Sequence, residues 1–382
     1  MNLFSIPADF NKNTLPKIAL LNETYTPKAR IHEVYGQISI NNHFGTGRAN
    51  DLLPKVDRAQ LKDYIASLKQ LGIKYNYTLN ATCLSNREFD KNASKELLDL
   101  LEFLHESGVD IVTVGLPSIM ELIKENGFSF SIKTSTVCQV NNVNKALAYK
   151  RLGAQSIVLD ESINRDFETL MAINQACGEE LELIVNVICH KNCIYENFHH
   201  NQTSHDCDCN NDKKSVQYYS YKCMLQRVEK PENLLKLAWI RPEDLHYYVA
   251  MGYKRFKIQG RQAATHGDVL KAAEMYMMES YRGNLMILLD CFMPTNSFTV
   301  DFDNDKLSDF LKPFAEKRFV CKNNCESCNY CFKYMCKHYD IDKINEIFSL
   351  AKEFYSDISF STLPHVQSNT KNAIPCCRSQ TT

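Results

Sequence analysis

Leu152-Gly153-Ala154-Gln155-Ser156-Ile157-Val158-Leu159-Asp160 is the unit from which the fold follows. A glycine that suits a helix end stands just ahead of a short β-branched run, and the run ends in a carboxylate. Glycine fits there because the residue after a helix commonly takes a left-handed conformation that a side chain penalises. The unit recurs as Leu71-Gly72 before residues 75–80, Ser107-Gly108 before 111–115 and Met251-Gly252 before 255–259. Helical patterns fill 58–71, 93–107, 142–152, 163–176, 242–251 and 267–281. Arg241-Pro242-Glu243-Asp244 suits a helix start, with proline in the first turn and carboxylates at the positive end of the dipole. Strands alternating with helices at this spacing indicate parallel βα units.

Working outward, eight strands are expected: 34–40, 75–80, 111–115, 130–136, 156–160, 181–188, 235–240 and 255–259. Eight such units predict an α/β fold of the TIM-like (β/α)8 class, with an open doubly wound sheet second, because no glycine-rich dinucleotide loop follows any strand. The barrel is assigned to 31–283, after an irregular segment over 1–30 in which only 17–21 resembles a strand. A cysteine-rich loop, 189–223, is inserted after the sixth of these strands, and residues 284–382 form a cysteine-rich C-terminal extension folded over the barrel.

Barrel topology places chemistry on the loops after each strand. The residues expected there are Asn80, Ser135, Thr136, Gln139, Asp160, Glu161, Asn186 and Cys189, then Arg241, Lys257, Gln259 and Arg261. In the last strand Phe256 and Ile258 alternate with Lys257 and Gln259, so the polar pair faces the barrel interior if the apolar pair faces the helices. The alternative for Lys257 is a strand-end lysine that reaches solvent or pairs with Asp160 or Glu161.

The sixteen cysteines are unevenly spread. The start of the chain lacks a cationic stretch followed by an apolar core, and no apolar run approaches the roughly 18 residues of a membrane span, so a cytoplasmic setting is expected. In a reducing compartment clustered thiols serve as metal ligands more readily than as disulfides. Cys189, Cys193, Cys207, Cys209 and Cys223 follow the strand over 181–188, and Cys321, Cys325, Cys328, Cys331 and Cys336 form a second constellation. Four thiolates converging on a barrel mouth suit an iron–sulfur cluster. Zinc is the rival, because His199, His200 and His205 lie among the same thiols. The C-x-x-C-x-x-C run from Cys325 to Cys331 has ferredoxin-like spacing without the usual proline; a second cluster and a zinc site both remain open, with Cys321 or Cys336 as fourth ligand. Cys83, Cys138, Cys177 and Cys291 read as small apolar residues.

The block from Trp239 to Arg261 resembles the conserved segment of the collagenase-like peptidases, peptidase family U32. Ser107–Val112, Thr134–Gln139, Leu152–Ala154 and Val158–Glu161 are similar in order and spacing, and the resemblance spans roughly residues 65–280. It implies a relation to iron–sulfur proteins of oxygen-independent hydroxylation: the paired proteins of ubiquinone synthesis and those that hydroxylate RNA, with prephenate implicated. It also implies a 4Fe-4S cluster held by four cysteines. Cys189 and Cys193 match the first two ligands and Cys223 a later one; the remaining ligand is Cys207 or Cys209. Two departures bear on the substrate rather than on the cluster: Asn186-Val187 stands where the family carries histidine-glycine, and Glu161 where it carries arginine.

Three functions follow. The first is an iron–sulfur redox tailoring enzyme, such as an oxygen-independent hydroxylase, acting on a small or carrier-bound substrate. In that reading Lys257 and Arg261 bind a carboxylate or phosphate, Glu161 or His199 moves protons, and Asn80, Thr136, Gln139, Asn186 and Arg241 contact substrate. The second is a peptidase, although the chain has neither an HExxH motif nor a G-x-S-x-G elbow. The third is a non-catalytic iron–sulfur partner of a second barrel subunit. A net charge of -1 and a pI near 6.8 supply no basic field for nucleic acid or an anionic membrane.

Overall fold

The structure, a computed structural model, describes residues 1–205, 218–293 and 298–356. Gly153 and Gly252 end their helices with φ of +119° and +100°, the conformation for which the sequence reserves glycine. Eight parallel strands follow one another around a closed barrel: β1 (Asn2–Pro7), β2 (Ala29–Gly36), β3 (Lys74–Leu79), β4 (Ile111–Val114), β5 (Ser131–Thr134), β6 (Ser156–Val158), β7 (Leu181–Ile184) and β8 (Arg255–Lys257). β8 closes onto β1 through Leu3↔Arg255 and Ser5↔Lys257.

Two of the expected assignments change. Residues 1–30 are not irregular: Asn2–Pro7 is the first barrel strand, hydrogen-bonded to both β2 and β8. The segment 17–21 is helical, inside α1 (Leu15–Tyr25), where Leu15 and Ile18 bury one helical turn apart. Conversely, 235–240 is no barrel strand. Pro231 opens a 3-10 helix over Pro231–Lys236, and the chain then runs extended beside the end of β7, with Ala238 N donating to Cys189 O (3.0 Å) and Ile240 N to Val185 O (2.8 Å). Its β-branched, apolar character reports burial, while β1 takes the eighth place in the barrel. The cysteine-rich insertion therefore follows the seventh strand, not the sixth.

The helices that cover the barrel are α1, α2 (Arg58–Gln70), α3 (Lys91–Glu106), α4 (Pro117–Glu125), α5 (Val143–Leu152) and α6 (Phe167–Cys177). Within the insertion lie α7 (Glu196–Ser204) and α8 (Tyr218–Arg227), and α9 (Leu245–Ala250) and α10 (Val269–Met278) flank β8. Side-chain caps fix several starts; Asp57 and Gln60 form a reciprocal capping box on α2. Beyond the barrel, α11 (Leu285–Leu289), α12 (Lys312–Ala315), α14 (Tyr330–His338) and α15 (Ile341–Ser356) share its core, while α13 (Cys325–Cys328) buries no residue. Trp239, Phe302, Phe310, Tyr330, Tyr334 and Tyr339 make an aromatic seam there, and Tyr330 and Tyr339 donate their hydroxyls to Phe310 O and Asp303 O. Arg165 is clamped in the seam, with its guanidinium 4.5 Å from the Trp239 ring and 5.0 Å from that of Phe310.

Polar side chains make up much of the barrel interior. Lys133 on β5 donates to Glu33 on β2 at 2.7 and 2.8 Å and to Glu182 on β7 at 3.1 Å, all three fully buried. Ser5 donates to Glu182 (2.5 Å), Asn76 to Glu33 (2.7 Å) and Thr113 to Asn76 (2.8 Å), so every one of these polar groups is satisfied. The ion triad forms a floor, and the site lies on the side toward which the strands run.

Candidate active site at the barrel mouth

Above that floor the strand ends and their loops line a cavity that opens to solvent. Its lower wall is Tyr35, Thr78, Ser135, Val158, Ile184 and Lys257; its rim carries Asn80, Thr136, Glu161, Gln259, Arg261 and Arg48; its roof comes from the insertion, with Cys189, His190, Cys193, Tyr195, Glu196, His199, His200, Tyr219 and Cys223. The insertion is drawn over the barrel by short contacts. Thr82 donates from its backbone N–H to Ser204 Oγ (2.8 Å) and from its hydroxyl to Asn201 (2.7 Å), and a Cβ at Gly45 would lie 1.6 Å from the Ser204 carbonyl oxygen. Gly45 is glycine because the end of α7 rests on its backbone.

Among the described residues three cations face the cavity. Arg261 Nη1 donates to Gln37 (2.7 Å), Thr78 (2.9 Å) and Thr46 (3.3 Å), and the rest of its guanidinium has no hydrogen-bond partner among the described residues. Arg48 reaches Gln259 at 3.4 Å. Lys257 Nζ sits 3.9 Å from the centroid of the Tyr35 ring, and neither Asp160 nor Glu161 pairs with it. Burial lowers the Lys257 ammonium to about 8, aided by the nearby Lys133 and Arg261 charges and opposed by Glu182 and Glu33.

The acids respond in the opposite sense. Burial raises the Glu161 carboxyl, against the hydrogen bond it accepts from the Thr136 hydroxyl. Glu196 is pushed up to about 8 by burial and then by the charges of Glu161 and Asp160, and its Oε1 is buried without a hydrogen-bond partner. His199 and His200 are lowered to about 4 and about 3, chiefly by burial and then by Arg48, and are neutral near pH 7. The Cys189 and Cys193 thiols are raised, again mainly by burial.

Other expected residues take different places. Asn186 is fully buried below the cavity; its amide donates to Gln259 O (2.7 Å) and Leu289 O (3.0 Å), and its Oδ1 accepts from Gln259 N (2.8 Å). Arg241 is 3 % exposed and forms a two-point ion pair with Asp244 (2.8 Å each) and a bond to Asn304 O, which ties the barrel to the extension away from the cavity. Gln139 does not line the cavity; it ends a 3-10 turn with φ of +49° and accepts Lys145 on its backbone oxygen. Cys207 and Cys209 lie outside the described residues. Missed in the sequence were Tyr35, Arg48, Thr78, Tyr195, Glu196 and Tyr219. Gly45-Thr46-Gly47-Arg48 was the available signal: a strand placed at 34–40 rather than Ala29–Gly36 hid it, because the loop to the mouth begins earlier than expected.

The model of peptidase family U32 matches residues 30–281. The chain belongs to this family. It is 30% identical over 336 residues to an uncharacterized protease, MJ1657, of Methanocaldococcus jannaschii, a match that covers 86% of this chain and 96% of the relative. Among solved structures it is similar to the U32 peptidase Mk0906, with 18% identity, a TM-score of 0.48, and coverage of 67% of this chain and 92% of that one. D-psicose 3-epimerase from Clostridium cellulolyticum H10 is a further neighbour, at 13% identity and a TM-score of 0.35, covering 76% and 98% of the two chains.

In this U32 chain the donor chemistry of the mouth suits a soft metal centre, since Cys189, Cys193 and Cys223 enter one cavity. Among the described residues no group of three His, Cys, Asp or Glu is already set around a single metal position. In the extension, Cys325 and Cys328 lie on α13 and Cys331 and Cys336 on α14, with Cys321 just before them. Cys138, Cys177 and Cys291 are buried, and Cys83 is partly exposed. No helix among the described residues is long and apolar enough to cross a membrane.

Proposed function

We propose that this U32 chain is an iron–sulfur enzyme that modifies a small or carrier-bound anionic substrate in the barrel mouth, with oxygen-independent hydroxylation as the reaction class. The observation that carries this is the entry of three cysteines of the insertion into the same cavity as Arg48, Lys257 and Arg261. Cys189, Cys193 and Cys223 would hold a cluster, with Cys207 or Cys209 completing the set. When bound, such a cluster supplies electron transfer or an iron site open to substrate.

The residues of the chain itself do the rest. Arg48 and Arg261 present guanidinium N–H groups to a carboxylate or phosphate. Glu161 holds a proton on its carboxyl beside the Thr136 hydroxyl, and the neutral His199 imidazole is available to accept one. Tyr195 and Tyr219, with ring centroids 6.3 Å apart, form part of the roof over the site. Peptide hydrolysis by a cysteine nucleophile finds little support, because the Cys189 thiol is buried and raised rather than activated.

Iron, sulfide and zinc are measured on chain purified without oxygen, with a dithionite difference spectrum. About four irons lost in a Cys189→Ser or Cys223→Ser variant, and a band near 400 nm that bleaches, support the proposal. Zinc alone after anaerobic reconstitution overturns it, as does peptidase activity that survives both substitutions.

A further inference from the structure

Two lysines project into one barrel, and the fold treats them differently. Lys133 is neutralised by two carboxylates at 2.7 and 3.1 Å. Lys257 is buried too, at 8% exposure against 2% for Lys133, yet has no ion pair and no hydrogen bond among the described residues. A buried ammonium with no carboxylate in pairing contact is an expensive arrangement, and a barrel able to neutralise one lysine had the means to neutralise the other. The amine lies in the cavity wall over the Tyr35 ring, with Arg261 and Arg48 at the rim. Among the described residues it is the one primary amine that lines the cavity.

From this placement we propose that Lys257 forms a Schiff base with a small aldehyde or ketone that also carries an anionic group, the anion being held by Arg48 and Arg261. The inference rests on the reading of the barrel mouth as the substrate site, not on the cluster. The Lys257 amine adds its lone pair to the carbonyl carbon, and a proton passes from nitrogen to the former carbonyl oxygen to give a carbinolamine. Loss of that oxygen as water, with one proton supplied to it, leaves the C=N bond to Nζ. One carbonyl compound and one amine thus yield one imine and one water, with no oxidant or reductant. The protonated imine keeps the positive charge that the Tyr35 face already accommodates. Burial also keeps the amine more often neutral than a surface lysine, and only the neutral amine attacks.

The test uses the full chain at pH 7.5 with glyoxylate and cyanoborohydride. The hydride reduces the imine to a stable carboxymethyl-lysine, and each lysine is followed by peptide mass spectrometry. Formaldehyde with the same reductant measures access for an aldehyde that has no charge. Lys257 is expected to react with glyoxylate about tenfold faster than the exposed Lys343, because Arg48 and Arg261 line the same cavity and hold the carboxylate of the aldehyde beside the amine. Arg48→Gln is expected to slow glyoxylate at Lys257 by about fivefold or more while changing formaldehyde less than about twofold, since only the former needs the anion subsite.

A Lys257 that reacts with glyoxylate no faster than Lys343 overturns the proposal, and so does a rate unaffected by Arg48→Gln. Arg48 is only partly buried, so its variant reports even if Lys257→Met fails to fold. Adduct formation without iron would leave this inference standing and sink the cluster reading; iron without the adduct would do the reverse.

Discussion

Replacing Lys133 by methionine keeps an unbranched side chain one atom shorter and removes its charge. The variant leaves Glu33 and Glu182, both fully buried, without the ammonium to which three of their hydrogen bonds run. Breaking a buried pair by removing one partner costs about 3–5 kcal/mol, and loss of a lysine shared by two carboxylates belongs near the top of that range. At roughly 2 °C per kcal/mol for a chain of this size, the midpoint should fall by about 8–10 °C. The pH dependence identifies the cause. In the native chain burial would raise the Glu33 carboxyl, but Lys133 and then His32 reverse this and hold it well below its ordinary value. A depressed carboxyl contributes stability above its unfolded pKa of about 4.3, and that stability disappears as pH falls through the folded value. Without Lys133 the sign reverses: the carboxyl is raised, its penalty is present at neutral pH, and the penalty fades as a proton is taken up. The deficit of the variant should therefore be largest at pH 8 and shrink toward pH 5. Scanning calorimetry across that range, with the triple variant Lys133→Met, Glu33→Gln, Glu182→Gln expected to regain about half the loss, measures it. A deficit that is flat with pH, or below about 1 kcal/mol, would show that the triad is not the stabilising floor described above.

Gly45→Ala places a methyl group against the Ser204 carbonyl and should lift α7 from the barrel. Two hydrogen bonds from Thr82, each worth about 0.5–1.5 kcal/mol, are lost locally, so limited proteolysis within α7 should accelerate about tenfold while the global midpoint moves little. Unchanged cleavage would contradict the contact. Arg165→Lys should lower the thermal midpoint by about 4–6 °C, since an ammonium cannot both stack between Trp239 and Phe310 and reach the Leu235 and Leu237 carbonyls; that loss is about 2–3 kcal/mol.

Glycine after a helix and a β-branched run after the glycine are local properties, so seven of the eight strands and the covering helices other than α1 and α4 could be read from the chain alone. The alternation of apolar and polar residues around Phe256 is local too, and it is enough to turn Lys257 toward the barrel interior. Asn2–Pro7 escaped because a six-residue strand at the chain start has no preceding helix and glycine to announce it; only pairing with β2 and β8 makes it one. Asn186 and Arg241 stand after apolar runs as a site residue would, yet hydrogen bonds to Leu289 and Asn304, about 100 and 60 residues away, turn them into struts. Arg48, Glu196 and the tyrosines of the roof reach the cavity through long loops whose path local pattern does not encode. Sequence thus determined which elements form and which thiols cluster, because both depend on neighbours a few residues apart. Tertiary structure alone decided which polar groups remain unpaired at the mouth, since a lysine paired with two carboxylates and a lysine paired with none look the same along the chain.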